Sequence, residues 1–173
     1  MVAQYRLWVN VSSPDPPLEA RDLDLGLAAT LAGAAVNDDV LARLHDAGFA
    51  GLRLSHGYFF QHLVAGPQPV GTIAERLAVT QQAVSKTAGE LERLGYVERT
   101  RDPGDARVRR IGLTARGRDA VEAARAARGE VDAELRARLG SARVEAAAEL
   151  LRDVLAERGR MPDIARRLVR PPG

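Results

Sequence analysis

From about residue 23 to residue 45, apolar positions recur at helical spacing: Leu27, Leu31, Ala34 and Ala35 follow the i, i+4, i+7, i+8 pattern of a half-buried helix. Asn37, Asp38 and Asp39 break that stripe, marking a kink or interruption before Leu41 and Leu44 resume it. Asp46-Ala47-Gly48 reads as a stop, with glycine at the helix exit. A second helix is predicted over Ser55 to Val64, with Phe59, Phe60 and Leu63 supplying apolar surface, and Gly66-Pro67-Gln68-Pro69 reads as a loop. Thr72 stands three residues before Glu75, the spacing of a capping box, which would open a short helix over Ile73 to Leu77. Val79-Thr80 then makes a turn, and Thr80 caps a further helix, Gln81 to Leu94, that ends at Gly95. Val84, Ala88 and Leu91 fall on one stripe of it, and Gln82, Ser85, Lys86, Gly89 and Arg93 on the other.

Two alternating segments follow, about Tyr96 to Arg101 and Arg107 to Leu113, with Ile111 and Leu113 facing inward and Asp102-Pro103-Gly104-Asp105 as the turn. Thr114 caps a long helix to about Leu139. Gly140-Ser141 breaks and recaps the chain, and a last long helix runs to about Glu157. Val144, Ala147, Ala148, Leu151, Val154 and Leu155 share one face of that helix. Tyr5, Leu7, Val9 and Val11 alternate with polar or aromatic positions at the period of a strand before Ser12 to Pro17 break it. This segment reads either as an arm packed on a partner subunit or as a disordered tail. The expected architecture is mainly α with a small antiparallel β-wing. An arm spans 1–20, a domain spans 21–160 and a tail spans 161–173. Within the domain, 50–115 form a winged helix-turn-helix, and 21–47 with 116–158 supply dimerisation helices.

That order of elements is a device for holding duplex DNA. The second helix of a helix-turn-helix enters the major groove with its first residues at the base edges. Here those residues are Gln81, Gln82, Ser85 and Lys86. Glutamine can pair with adenine through two hydrogen bonds, and lysine can donate to guanine or to phosphate. Thr80 and the amides at the helix start suit a phosphate. Arginines at the hairpin tip suit the narrow, negative minor groove, with Arg107 as first candidate and Arg109 as second. Asp105, two residues earlier, is placed to hold Arg107 by an ion pair. A polar helix face alone would read as solvated surface. The capped helix before it and the hairpin after it change that reading.

Charge sharpens the picture only locally. The net charge of the 173 residues is +2, but between Arg93 and Arg118 eight arginines face three acids. Such a cluster suits a polyanion. The basic residues are 24 arginines and one lysine, Lys86, a bias expected of a GC-rich genome. With no cysteine, a disulfide framework, a thiolate metal site and a thiol redox sensor are excluded. The longest uncharged apolar run, Gly26 to Val36, falls short of the ~20 residues of a membrane span. No secretory signal pattern is visible. The bacterial cytoplasm, in association with the nucleoid, is the expected location.

These residues resemble the MarR family of bacterial transcription regulators. Asp105-Ala106-Arg107 followed by Leu113-Thr114-Ala115-Arg116-Gly117 matches the family's wing signature. Val79 to Lys86, Leu91 to Arg99 and Asp102-Pro103 match as well, and the resemblance runs from roughly Leu23 to Arg158. It implies a homodimer joined through the first and the last two helices, bound to a pseudo-palindromic operator. It also implies a repressor that releases DNA when a small aromatic or phenolic compound enters a cleft beside the DNA-binding part. Base contacts would lie at Gln81, Gln82, Ser85 and Lys86, and the wing at Arg107 with Asp105 orienting it. The apolar stripes of the last helices point independently to a dimer, whose two-fold symmetry would let it read half-sites one helical turn apart, about 34–36 Å.

The sensing chemistry is thinner. His56 and His62 are six residues apart, on different sides of a helix, and no carboxylate cluster joins them, so neither metal nor cofactor is expected. His45 and His62 read as helix-surface residues. His56 and Phe59, in the block Ser55 to Phe60, are the candidate ligand-binding pair, an imidazole beside aromatic rings, with an ordinary core as the alternative. No catalytic constellation stands out, and Asp38, Asp39 and His45 read as helix-surface polarity rather than an acid-base set. The rival readings are an activator or architectural DNA-binding protein of the same fold, and a protein-interaction module that keeps the wing as scaffold.

Overall fold

A computed structural model describes residues 19–102, 104 and 109–165. Most of the expected arm, the wing-tip residues Asp105 and Arg107, and the chain beyond residue 165 lie outside the described residues. A short 3-10 turn, Ala20–Asp22, leads into α1 (Leu25–Asp46) and α2 (Leu54–Phe60). Then come β1 (Gln68–Pro69), α3 (Val70–Leu77), α4 (Gln81–Arg93), β2 (Val97–Arg101) and β3 (Arg109–Leu113). Helices α5 (Ala115–Leu139), α6 (Ser141–Glu157) and α7 (Met161–Ala165) complete the order. The fold is mainly helical with one antiparallel sheet, ordered β1-β3-β2.

Compact units divide at Ala35. In the first, Asp24 Oδ1 accepts the amide of Leu27 at 2.8 Å and starts α1. The helix then runs unbroken through Asn37, Asp38 and Asp39, correcting the expected interruption. Those side chains are exposed or half-buried, where a polar residue costs a helix only tenths of a kcal/mol. The neighbouring Val40 and Leu44 pack with Ala127 and Val131 of α5. By length and a mean hydropathy of 1.2, α1 would pass for a membrane span. Near its end, however, Arg43 pairs with Glu130 and Glu134 of α5 at 3.1 and 2.7 Å, so this half of the helix lies against protein.

The second core gathers Leu52, Phe59, Phe60, Leu63, Ile73, Leu77, Val84, Leu91, Tyr96 and Ile111. The stripe Val84, Ala88, Leu91 is buried in it, as the periodicity requires. Gly95, at φ 79°, ends α4. Ile111 and Leu113 are buried from β3 as expected. Thr114 caps α5 by accepting the amide of Gly117 at 3.0 Å. Its own hydroxyl donates to the Gly95 carbonyl at 2.7 Å. At Gly117 a β-carbon would fall 2.0 Å from the Tyr96 carbonyl oxygen, so the wing signature ends in glycine because helix and strand meet there backbone to backbone.

Four other expectations are corrected. The stretch Gly66 to Pro69 is more than a loop: Gln68 and Pro69 pair with Ile111 and Arg110 as a two-residue strand. Because this pairing fixes the chain up to Pro69, α3 starts at Val70, and Thr72 lies inside its first turn instead of capping it with Glu75. The second helix ends at Phe60, not Val64. Beyond it, His62 N–H reaches the Phe59 carbonyl and Leu63 N–H that of Phe60, at 3.2 and 2.8 Å. These three-residue steps wind tighter than an α-helix and shift the phase. His62 consequently turns inward and is 3 % exposed, rather than lying on the surface.

Candidate nucleic-acid interface and adjoining cleft

Helix α4 begins as the sequence predicts. Thr80, with φ −72° and ψ 152°, stands at the N-cap, and its hydroxyl accepts the Ala83 amide at 3.1 Å. Gln81, Gln82 and Lys86 are exposed along the first turns, and Ser85 is half-buried beside them. The Gln81 amide lies back toward Gly71 of α3, about where a side chain there would touch it (3.5 Å). The tight turn before α4 holds Ala78 at φ 52°, a left-handed conformation that an alanine adopts at a cost.

The wing sits beside this helix. Strands β2 and β3 pair from Val97 with Leu113 out to Arg101 with Arg109. Arg101 and Arg109 are both exposed, and like charges directly opposite each other destabilise a sheet. A bound anion would relieve that repulsion.

Much of the basic cluster works inside the protein, which charge counting alone could not reveal. Arg99 donates to the Ser85 carbonyl at 2.8 Å and lies 3.4 Å from Glu92, bracing the wing on α4. Its guanidinium passes over Gly89, 3.7 Å from where a β-carbon would stand. An isolated glycine inside a helical pattern was the available signal for this close approach. Arg110 pairs with Asp102 and donates to the Pro67 carbonyl at 3.2 Å, tying the wing to the loop before β1. Arg116 donates to the Gly48 carbonyl at 2.8 Å and lies over the Tyr96 and Phe49 rings, 5.0 and 5.7 Å from their centres.

A cleft of about 550 Å³ opens between α1, α2 and α5. His56 lines it, while Phe59 faces a smaller hollow of about 130 Å³ against α4, which His56 and Arg53 also line. His56 is 1 % exposed. Its Nδ1 lies 3.2 Å from the backbone N–H of Arg53 and its Nε2 lies 3.1 Å from Arg53 Nη2, two donors of which a neutral ring can accept only one. Burial, followed by the positive charge of Arg53, pushes its pKa below 6.5, against the pull of Glu90. Arg53 Nη2 lies 2.5 Å from Glu90 Oε2, and His56 Nε2 lies 3.9 Å from the same oxygen. That hydrogen bond from Arg53 holds the Glu90 carboxyl below its usual range. Among the described residues, no group of three or more histidines and carboxylates could hold a metal ion.

A capped reading helix, a wing braced against it and a paired-arginine hairpin define a winged helix-turn-helix protein. Residues 50–108 match the model of the MarR family. The YusO protein of Bacillus subtilis shares its fold with a TM-score of 0.63 and 24 % identity, over 80 % of this chain and 99 % of that one. The transcriptional repressor CouR, bound to a 23-mer DNA duplex, gives 0.60 and 25 % over 80 % of this chain and 99 % of its own. The Mycobacterium tuberculosis MarR family protein Rv2887, in complex with salicylic acid, gives 0.55 and 28 % over 79 % and 99 %. No curated protein matches the chain.

Proposed function

We propose that this winged-helix transcription regulator acts in the bacterial cytoplasm as a homodimeric repressor. It reads a pseudo-palindromic operator and releases it when a small aromatic or phenolic acid binds the cleft. The observation that carries the reading is the Thr80-capped start of α4. It holds Gln81, Gln82 and Lys86 out to solvent beside the opposed Arg101 and Arg109. Arg107 is the residue proposed for the minor groove, with Asp105 as its proposed partner. CouR on its duplex supports the DNA side, and the salicylic acid complex of Rv2887 supports the ligand side.

The dimer reading rests on α6. Among its residues none is buried, and Leu150, Leu151 and Leu155 are exposed along it. A second copy, joined through 21–47 and 116–158, would cover that face and set two reading helices one DNA turn apart. An acid is favoured as ligand because Arg53, Arg125 and Arg128 line the cleft, and no carboxylate does among the described residues.

Duplexes selected by the protein from a random pool test this. Affinity should fall steeply with salt as phosphates release counterions. Arg107→Ala should weaken binding and lower the salt slope by about one. Gln82→Ala should shift preference at one base pair by ~1–3 kcal/mol with little loss elsewhere. A chain that sediments as a monomer and ignores DNA in dilute buffer would overturn the proposal.

A further inference from the structure

Arg53 belongs to two surfaces at once. It is the N-cap residue of α2 and part of the cleft wall. Its guanidinium nevertheless closes on Glu90, about two and a half turns along the helix whose start reads DNA. The other two cleft arginines have different attachments. Arg125 pairs with Glu122 of its own helix at 2.5 Å, and Arg128 reaches Asn37 of α1 at 3.5 Å. Arg53 alone of the three is held by a carboxylate on the DNA-reading element. Its side chain is 58 % exposed, with Nη2 also 3.1 Å from His56 Nε2, whereas that of Glu90 is 25 % exposed on α4.

We propose that Arg53 is the relay between cleft and DNA: a ligand carboxylate in the cleft draws the guanidinium away from Glu90, releasing the ion pair that ties the start of α2 to the reading helix. The inference rests on the ligand-responsive reading above and names the residue through which that response travels. Ligand and Glu90 compete for one cation, so whatever loosens Glu90 favours the ligand, and the reverse holds by thermodynamic linkage. Once Arg53 leaves, Glu90 faces His56 and Arg93, and α4 loses a fixed contact with α2. The small hollow behind α4, which shares Arg53 and His56 with the cleft, leaves the helix room to shift.

Salicylate, titrated by calorimetry and added to DNA-binding assays on the selected duplex, is the probe. Glu90→Gln keeps shape and hydrogen bonding but gives up the charge. It should bind salicylate about two- to fivefold tighter than the wild type, the range open to an ion pair of this exposure. It should bind the duplex more weakly without salicylate, and the further loss on adding salicylate should shrink by the same factor. Arg53→Gln should lose salicylate affinity, and combining it with Glu90→Gln should cost no more DNA affinity than either alone. Equal salicylate affinity and equal salicylate effect on DNA in wild type and Glu90→Gln would overturn the relay while leaving the ligand reading in place. Absence of salicylate binding to the wild type would overturn both.

Discussion

Replacing Gly117 by alanine tests how the wing is joined to the helices that follow it. The added β-carbon would stand 2.0 Å from the Tyr96 carbonyl oxygen, where ordinary contact begins at 3.4 Å. Helix and strand must therefore part by roughly 1.4 Å, because bond-angle strain alone would absorb such a shift only at a cost of several kcal/mol. Parting them stretches the bonds from Thr114 N–H to the Tyr96 carbonyl (3.1 Å) and from its hydroxyl to the Gly95 carbonyl (2.7 Å). Two such bonds contribute about 1–3 kcal/mol together. The better helix propensity of alanine offsets up to ~1 kcal/mol, less in a first turn. Residual overpacking adds ~1–3 kcal/mol. The expected net loss is about 1–6 kcal/mol, read from urea unfolding at matched protomer concentration, because dimerisation would make stability concentration-dependent. A loss under ~0.5 kcal/mol with an unchanged slope would refute the claim that this glycine is required by close backbone approach.

Two further outcomes follow from the same geometry. Arg99→Ala removes the brace between wing and α4 without removing a phosphate contact, so DNA affinity should fall while the salt slope stays constant. A slope reduced by one would instead make Arg99 a DNA ligand. His56 has its folded-state pKa lowered mainly by burial, so the unfolded chain binds the proton first as pH drops. Its contribution to stability is complete above about 6.5 and is lost as pH falls from there toward the lower folded value. Melting temperatures from pH 7.5 down to pH 5 should therefore decline more in the wild type than in His56→Gln. Parallel declines would show that this ring does not titrate with folding.

Legibility divided along a physical line. Elements governed by local periodicity and capping were readable: the stripe Val84, Ala88, Leu91, the caps at Thr80 and Thr114, the exits at Gly48 and Gly95, and the inward Ile111 and Leu113. With them came the winged helix-turn-helix and the exposed start of α4, since both follow from 3.6- and 2-residue patterns and turn chemistry. Tertiary structure decided what depends on partners distant in sequence. Strand β1 exists because β3 offers it an edge, and its pairing moved the start of α3. Tightened turns buried His62. The arginine cluster looked uniform as a string of charges. In three dimensions Arg99, Arg110 and Arg116 brace the fold, Arg101 and Arg109 stay exposed, and Arg53, far upstream, meets Glu90. Local pattern can state that a side chain is polar and on which face it stands, but its partner is set only when the chain has closed on itself.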